Sequence, residues 1–284
     1  MKRIVTLSII MLTMISCSSM RRDPGDIVTI RMMTERELAL GNREAGRGNF
    51  DLAHNVLRES KRRAILVDDI SLMIRSGISL GNLLFTLGKT EQAFAEFDQA
   101  IALAQKHSKH ELLSVSRIYK ARAGLLSGRV SAQSVLDEVT REAANVRDRL
   151  FLAFSWQVRG LALRELRSFN DAELAVRNSL IIHERERNLE NAAFDWHLIA
   201  SIRSLSGNTA GALAALEASI ALDRRTENSW GLAANWRATG DVHRRAGNTA
   251  DALEAYQRAR AIFVAMRNEN ETAEIDRRIE SLSN

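Results

Sequence analysis

The residue types that could catalyse a reaction or bind a metal are sparse in this chain and lie far apart. The sequence has no phosphate-binding loop of the Gly-x4-Gly-Lys-Ser/Thr type, no His-Glu-x-x-His pair and no cysteine besides Cys17. His107 and His110 are spaced to share a helical face, but a zinc site needs more ligands than two imidazoles. A solvated pair is the better interpretation. We therefore expect a protein that is not an enzyme, with no metal site and no cofactor.

A forty-residue repeat organises the chain instead. The stretch from Trp196 to Leu213 returns as the stretch from Trp236 to Leu253, and an earlier version begins at Trp156. A fixed period of this length indicates a repeat architecture. A small residue marks each unit, in the order Ala53, Ala93, Ala132 or Gln133 in a degenerate third unit, Ala172, Ala212 and Ala252.

Each unit reads as two antiparallel helices joined by a tight turn. Hydrophobic residues make up 45% of the chain and Pro24 is the only proline, which suits helices. The small residues let two helices approach closely, and glycines at Gly-Asn turns are free to adopt positive φ. Thr34 to Glu37 resembles a capping box that starts the first helix, although a start near Asp26 is also possible. The repeat domain then covers residues 33–268, and an amphipathic capping helix lies within 269–284.

The N-terminus forms a separate system. Lys2 and Arg3 precede an apolar stretch that is too short to span a bilayer, a pattern typical of an export signal. The only cysteine follows in Met14-Ile15-Ser16-Cys17, which resembles the lipobox of bacterial lipoproteins. That resemblance implies a signal peptide over residues 1–16, lipidation of Cys17 and a tether over 17–32. Ordinary secretory cleavage beside an incidental cysteine is the alternative. Ser18, rather than Asp, favours the outer membrane.

The order of aromatic, small residue, turn and alanine resembles the tetratricopeptide repeat, in its longer variant with a period near forty. The resemblance covers residues 33 to 268, with a poor third unit and no proline at the ends of the second helices. It implies an all-α, right-handed α-solenoid of about six helix pairs plus the C-terminal capping helix. HEAT and armadillo repeats have similar periods but do not predict these Trp, Gly and Ala positions. We interpret Trp156, Trp196 and Trp236 as packing residues rather than a ladder for a ligand.

In tetratricopeptide proteins the first helix of each pair lines a concave groove. The register then assigns ten polar residues as candidate groove contacts, more basic toward the C-terminal units: Asn42, Asn82, Gln157, Arg164, His197, Ser201, Ser204, Arg237, Asp241 and Arg244. Asparagine can bond an extended peptide backbone, and arginine can hold a carboxylate with two hydrogen bonds. The alternative is an ordinary solvated helix surface. The basic runs at 58–63, 224–225 and 277–278 are interpreted as cations at the negative ends of helix dipoles rather than a membrane-facing patch.

The pattern therefore predicts an exported lipoprotein, anchored by its lipid to a membrane, most simply the outer membrane facing the periplasm. Its formal charge of +5 falls to +3 once Lys2 and Arg3 are removed, which does not favour nucleic acid. We expect a scaffold or assembly factor that binds another envelope protein or an extended peptide. The alternative is an accessory subunit of a periplasmic-binding-protein-dependent (TRAP-type) transporter, which would need a closed, apolar pore. A cytoplasmic regulator is disfavoured by the signal segment. The sequence does not specify an oligomeric state.

Overall fold

The computed structural model describes the backbone of residues 24–282 and the side chains of residues 29–282, and this range contains helices and turns but no strand. Cys17, the predicted signal peptide and the first part of the predicted tether lie outside the described residues. The helices are α1 (Pro24–Gly46), α2 (Phe50–Leu66), α3 (Ile70–Thr86), α4 (Thr90–Lys106), α5 (His110–Leu126), α6 (Ala132–Ala143), α7 (Arg149–Glu165), α8 (Phe169–Arg185), α9 (Leu189–Leu205), α10 (Thr209–Arg225), α11 (Ser229–Arg245), α12 (Thr249–Ala265) and α13 (Glu269–Glu280).

The helices form six consecutive pairs, from α1 with α2 to α11 with α12, and each pair packs on the next. Helix α13 follows alone and packs on α12, where Ile275 joins the buried core of the last pair. The prediction of an all-α repeat solenoid with six helix pairs and a capping helix is confirmed. A single pair leaves one apolar face open, so stacking and a terminal cap are what bury the core.

Small residues bring the two helices of a pair together, as the repeat predicted. The marker alanines are fully buried, namely Ala53, Ala93, Ala172, Ala212 and Ala252. Opposite them, a Cβ added to Gly160 would lie 2.4 Å from Cγ2 of Val176 and 3.2 Å from the carbonyl oxygen of Ala172. A Cβ added to Gly240 would lie 2.5 Å from the Tyr256 ring. Both distances are shorter than van der Waals contact, so the backbones approach as closely as they do only because no side chain intervenes.

The turns within pairs use a left-handed residue after the first helix. Gly207 and Gly247 have φ of 87° and 79°, and the amide of the following Asn208 donates to the carbonyl oxygen of Arg203 at 2.8 Å. This is the helix-ending arrangement that glycine favours. In the fourth pair Arg167 takes the same place with φ of 61°, although it carries a side chain.

The predicted capping box at Thr34 and the predicted marker of the third unit are wrong. Thr34 lies inside α1, which begins at Pro24, close to the alternative start near Asp26. The fixed φ of proline suits a first helical turn. Residues 24–32 of the predicted tether are therefore helical. Thr34 is buried, and its hydroxyl donates to the carbonyl oxygen of Ile30 at 2.8 Å. In the third unit the marker place is taken by buried Val135, and Gln133 is exposed. The turn after Gly128 is longer than the turns in the other pairs and shifts the register of α6.

The first turn of the solenoid also touches its last units. Arg47, between α1 and α2, donates to the carbonyl oxygen of Thr226 at 3.2 Å and lies 4.0 Å from Glu190. The ring of Phe50 meets that of Trp230 edge to face, with centroids 5.0 Å apart. We call this the end-to-end contact. It joins residues that are about 180 positions apart in sequence, so the solenoid closes on itself over five to six pairs.

Candidate partner-binding face

The ten candidate residues all lie on first helices of pairs, on α1, α3, α7, α9 and α11. We call the surface that they mark the first-helix face. Their exposure differs widely: Asn42 and Arg244 are exposed, most of the others are partly exposed, and Gln157 is only 4% exposed. The sequence register therefore found the correct helices, but it did not separate side chains that face solvent from those that join neighbouring helices.

Gln157 belongs to a buried polar network between the fourth and fifth pairs. Its amide donates to one carboxylate oxygen of Asp195 at 2.8 Å. The other carboxylate oxygen lies 2.6 Å from Nδ1 of His183 and accepts from the hydroxyl of Ser179 at 3.1 Å. All four side chains are buried. The combination of serine, histidine and aspartate is therefore structural: it fixes the position of α9 against α7 and α8.

His197 occupies the equivalent position forty residues later and heads a second network of the same layout. Its Nδ1 lies 2.8 Å from the amide oxygen of Asn235. The Asn235 amide nitrogen donates to the hydroxyl of Ser219 and to Asp223, each at 2.7 Å. Asn228 donates to the other oxygen of Asp223 at 2.9 Å. Asp223 accepts these bonds, and no described cation forms an ion pair with it.

Burial shifts the titration of these networks toward neutral forms. Desolvation raises the pKa of Asp223 to about 7, from an ordinary value of 3.8. Desolvation also raises the pKa of Asp195, against the opposing effect of its bond to His183. The pKa of His197 is lowered, again chiefly by desolvation, so its imidazole stays neutral near pH 7. These groups hold adjacent pairs together and are not poised for chemistry with a ligand.

Most remaining candidates bond to a neighbouring first helix. The Asn82 side-chain oxygen accepts from Arg122 at 3.2 Å, and Arg164 donates to the hydroxyl of Ser201 at 3.1 Å. The other two bonds are Arg245 to the Ser204 hydroxyl at 2.6 Å and Arg237 to Glu271 at 2.5 Å. Because these side chains are partly exposed, the bonded pairs form a polar strip that a partner can contact. The partners Arg122, Arg245 and Glu271 were not in the predicted set.

The strip ends in a cleft at the C-terminal end of the first-helix face. This C-terminal cleft has a volume of about 330 Å³ and lies between α11 and α13, lined by Asp241, Arg244, Arg245, Glu274, Arg277, Arg278 and Ser281. Asp241 accepts from the Tyr256 hydroxyl at 2.7 Å and lies 3.4 Å from Arg278. Arg277 and Arg278 both pair with Glu274. Arg244 and Arg245 have no carboxylate partner among the described residues, so the cleft has an excess of positive charge.

The structure also shows where the remaining sequence motifs lie. Gly77 to Gly81 has the Gly-x-Ser-x-Gly spacing of hydrolase nucleophiles, a match that the sequence analysis missed. The motif lies inside α3 and not at the strand-to-helix turn that such a nucleophile needs. His107 and His110 are exposed at the corner between α4 and α5. Among the described residues no group of His, Cys, Asp and Glu could hold a metal ion. No described helix is both long enough and apolar enough to cross a membrane.

The tryptophans pack as the sequence indicated, and two of the three basic runs lie at helix ends. Trp156 and Trp196 pack against one buried core, and Trp236 packs against the core of the last pair. Two of the basic runs end their helices, at 224–225 in α10 and at 277–278 in α13. In the run at 58–63 only Arg63 lies in the last turn of α2, and Lys61 pairs with Glu96 instead. Cations at these positions face the negative end of the helix dipole.

Comparison with known proteins agrees with this architecture. Models of the tetratricopeptide repeat match residues 78–107 and 191–263. No curated protein matches the sequence. Among solved structures, the chain resembles the Rap protein complexed with Competence and Sporulation Factor, with a TM-score of 0.58 and 14% identity over 90% of this chain and 79% of that one.

Two further structures share the fold. A thermophilic tetratricopeptide protein of Thermus thermophilus has a TM-score of 0.56 and 16% identity, over 74% of this chain and 98% of its own. BtubC (BKLC) from P. vanneervenii has a TM-score of 0.55 and 17% identity, over 84% of this chain and 93% of its own. The matched repeats agree in register with the helix pairs, which decides against HEAT and armadillo repeats. The chain therefore contains tetratricopeptide repeats over residues 78–107 and 191–263, within an array of helix pairs that has the same solenoid fold.

Proposed function

We propose that this chain is a scaffold or assembly factor that binds another protein or an extended peptide on its first-helix face. The observation that carries the proposal is the C-terminal cleft, where the predicted contacts Asp241 and Arg244 meet Arg245 and Arg278 around an accessible space. The guanidinium groups there that lack a carboxylate partner suit a carboxylate of the bound protein. The solved structure of the Rap protein, which shares the fold, contains a bound factor, and this supports the same mode of use.

The binding surface extends from the cleft along the polar strip. Ser201 and Ser204 on α9 and Asn82 on α3 are partly exposed and present hydroxyl and amide groups beside arginines. An extended segment has one backbone donor and one acceptor per residue, and such a strip offers partners for them. The partner we propose is an envelope protein or a segment of one, with an acidic group seated at the C-terminal cleft.

The proposal includes the membrane anchor. A lipid on Cys17 would hold the solenoid at a membrane, most simply the outer membrane on its periplasmic side. The sequence motif Met14 to Cys17 and the absence of any other cysteine support this. Replacing Cys17 with Ala should move the protein from the membrane fraction to the soluble fraction of the cell. Retention of the variant in the membrane fraction would show that the anchor lies elsewhere.

The transporter-subunit alternative required an apolar pore, and the packing gives it little support. The apolar first-helix residues Leu38, Ile78 and Leu161 are 3%, 4% and 4% exposed and pack between helices, so they do not line an open space. The C-terminal cleft is lined by charged side chains. We therefore keep the scaffold as the proposed function.

The test is site-specific photo-crosslinking in the native cell, followed by mass spectrometry. A photo-reactive residue replaces Arg244 in the cleft, and in a matched control it replaces Gln257, which is exposed on the second helix α12. We expect one partner to be captured at position 244 and not at position 257. Equal capture at both positions, or capture of a solute-binding protein, would overturn the proposal.

A further inference from the structure

A second cleft lies where the second helices α10 and α12 meet α11. This second-helix cleft has a volume of about 400 Å³. Its apolar floor comes from Leu213, Ile220 and Trp236, and its rim carries the carboxylates of Glu217 and Asp251. Arg258 covers the Trp236 ring at 4.5 Å and pairs with Glu254 at 2.6 Å, so that pair is neutral by itself.

The equivalent place one repeat earlier is filled by an internal cation. Arg203 on α9 donates to Glu173 on α8 at 2.7 and 3.1 Å, and to the carbonyl oxygen of Gly211 on α10 at 3.0 Å. The guanidinium therefore bridges two successive second helices. The hydrogen bond to Glu173 raises the pKa of Arg203 further, as expected for a cation held by a carboxylate.

In the last pair this internal cation is missing. His243 stands in the place of Arg203, Leu213 in that of Glu173 and Asp251 in that of Gly211. The shorter imidazole does not cross the space: its Nδ1 is buried without a hydrogen-bond partner and lies 3.7 Å from an Asp251 oxygen. Glu217 has no ion pair in the described part of the chain. The cleft therefore lacks the internal cation and the counterpart of Glu173, and the carboxylates of Asp251 and Glu217 line it instead.

We propose that the second-helix cleft binds an arginine side chain from a basic segment of a partner protein. The guanidinium would lie between Nδ1 of His243 and the carboxylates of Asp251 and Glu217, in the region that the guanidinium of Arg203 fills one repeat earlier with different acceptors. The apolar stem of the arginine would rest on Leu213 and Ile220. A planar fork of donors suits several separated acceptors better than the point charge of lysine does. The lining of this site shares no residue with the C-terminal cleft, although Trp236 and His243 lie on the first helix α11. Arginine binding at this site does not rest on the proposed partner-binding function.

The test uses the full chain and a blocked peptide, acetyl-Gly-Arg-Gly-amide, with the neutral isostere acetyl-Gly-citrulline-Gly-amide as a control. The readout is the indole N–H resonance of Trp236, identified by its loss in Trp236→Phe. We expect a saturable shift with the arginine peptide, with a dissociation constant on the order of 1 mM. We expect a weaker response with the lysine peptide and none with citrulline. An equal response to citrulline, or no saturable shift with arginine, would overturn the proposal.

Substitutions in the second-helix cleft test whether the arginine peptide binds there. Asp251→Asn and Glu217→Gln should each weaken binding by about threefold to fivefold, the range of a partly exposed charge pair. Neutralising an exposed carboxylate elsewhere, by Glu184→Gln on α8, should leave binding unchanged. Leu213→Glu combined with His243→Arg rebuilds the internal pair of the preceding repeat.

The rebuilt pair should abolish peptide binding while the protein keeps its helical content and thermal stability. Persistent binding by this double variant would contradict the proposal, as would unchanged binding by both carboxylate variants. Arg244→Ala should leave arginine binding intact, which separates this site from the first-helix face.

Discussion

Gly160→Ala tests the packing that builds the solenoid, and Gly77→Ala is its matched control. Both glycines are buried inside first helices. At Gly160 the new methyl would lie 2.4 Å from Cγ2 of Val176, whereas at Gly77 the nearest atom would be 3.7 Å away, an ordinary contact. Valine is stiff at χ1, and the carbonyl oxygen of Ala172 closes the other side, so the site cannot adapt by a simple rotation.

The magnitudes follow from two opposing effects. Alanine is favoured over glycine inside a helix by about 1 kcal/mol. Overpacking a tight core costs about 1–3 kcal/mol. Gly77→Ala should therefore raise the free energy of unfolding by up to about 1 kcal/mol, and Gly160→Ala should lower it by about 1 kcal/mol. Urea titration followed by far-ultraviolet circular dichroism measures both changes. The variants are compared with the same dependence of the unfolding free energy on urea concentration.

The fifth pair suggests a second substitution that should restore the stability lost in Gly160→Ala. There Ala200 and Leu216 stand where the fourth pair has Gly160 and Val176. Adding Val176→Leu to Gly160→Ala should recover at least part of the lost stability, because leucine can rotate its branch away from the new methyl. The reasoning fails if Gly160→Ala is as stable as the wild type, or if Gly77→Ala loses as much stability as Gly160→Ala does.

Three further predictions concern the contacts between pairs. Asp195→Ala removes the acceptor shared by three buried donors and should lower the free energy of unfolding by about 3 kcal/mol; a loss below about 1 kcal/mol would show that the network is dispensable. The pKa of Asp223 is about 7 in the folded protein, against an ordinary 3.8, so the folded state binds the extra proton. Its contribution to stability should be complete below the ordinary pKa and lost as pH rises through about 7. In thermal melts across this window, Asp223→Asn should reduce the fall of the melting temperature with rising pH. An unchanged pH dependence would assign that fall to other groups. Combining Arg47→Ala with Trp230→Ala should open the end-to-end contact and raise the radius of gyration in small-angle X-ray scattering without loss of helix; an unchanged scattering profile would mean that the stacking of pairs alone sets the curvature.

The fold could be predicted because its rules are local and repeated. The marker alanines, the glycine turns and the capping helix each follow from a pattern seen within about forty residues. The third unit departed from prediction because its turn is longer, and a periodic argument cannot detect a shift that occurs once. Thr34 was misplaced because a capping box within a helix has the same letters as one at its start.

The candidate site was harder to predict. The helical period does not distinguish the side of a first helix that faces solvent from the side that faces the next first helix. Gln157 and His197 share a register position with Arg237, which is partly exposed, but they point toward the next helix and bond to Asp195 and Asn235. Comparing positions forty residues apart would have paired Asp195 with Asn235 and indicated a shared structural role. The end-to-end contact has no such signal, because it depends on the accumulated rotation of several pairs.

The most direct test of the central claim is the affinity of the captured partner for the isolated chain. Isothermal titration would compare the wild type with the combined Arg244→Ala and Arg245→Ala variant, and with Gln257→Ala on a second helix as the control. Removing two guanidinium groups from a site that holds a carboxylate should weaken binding at least tenfold, or about 1.4 kcal/mol, and the control should bind as the wild type does. Equal affinity for all three proteins would contradict the claim that the first-helix face binds the partner.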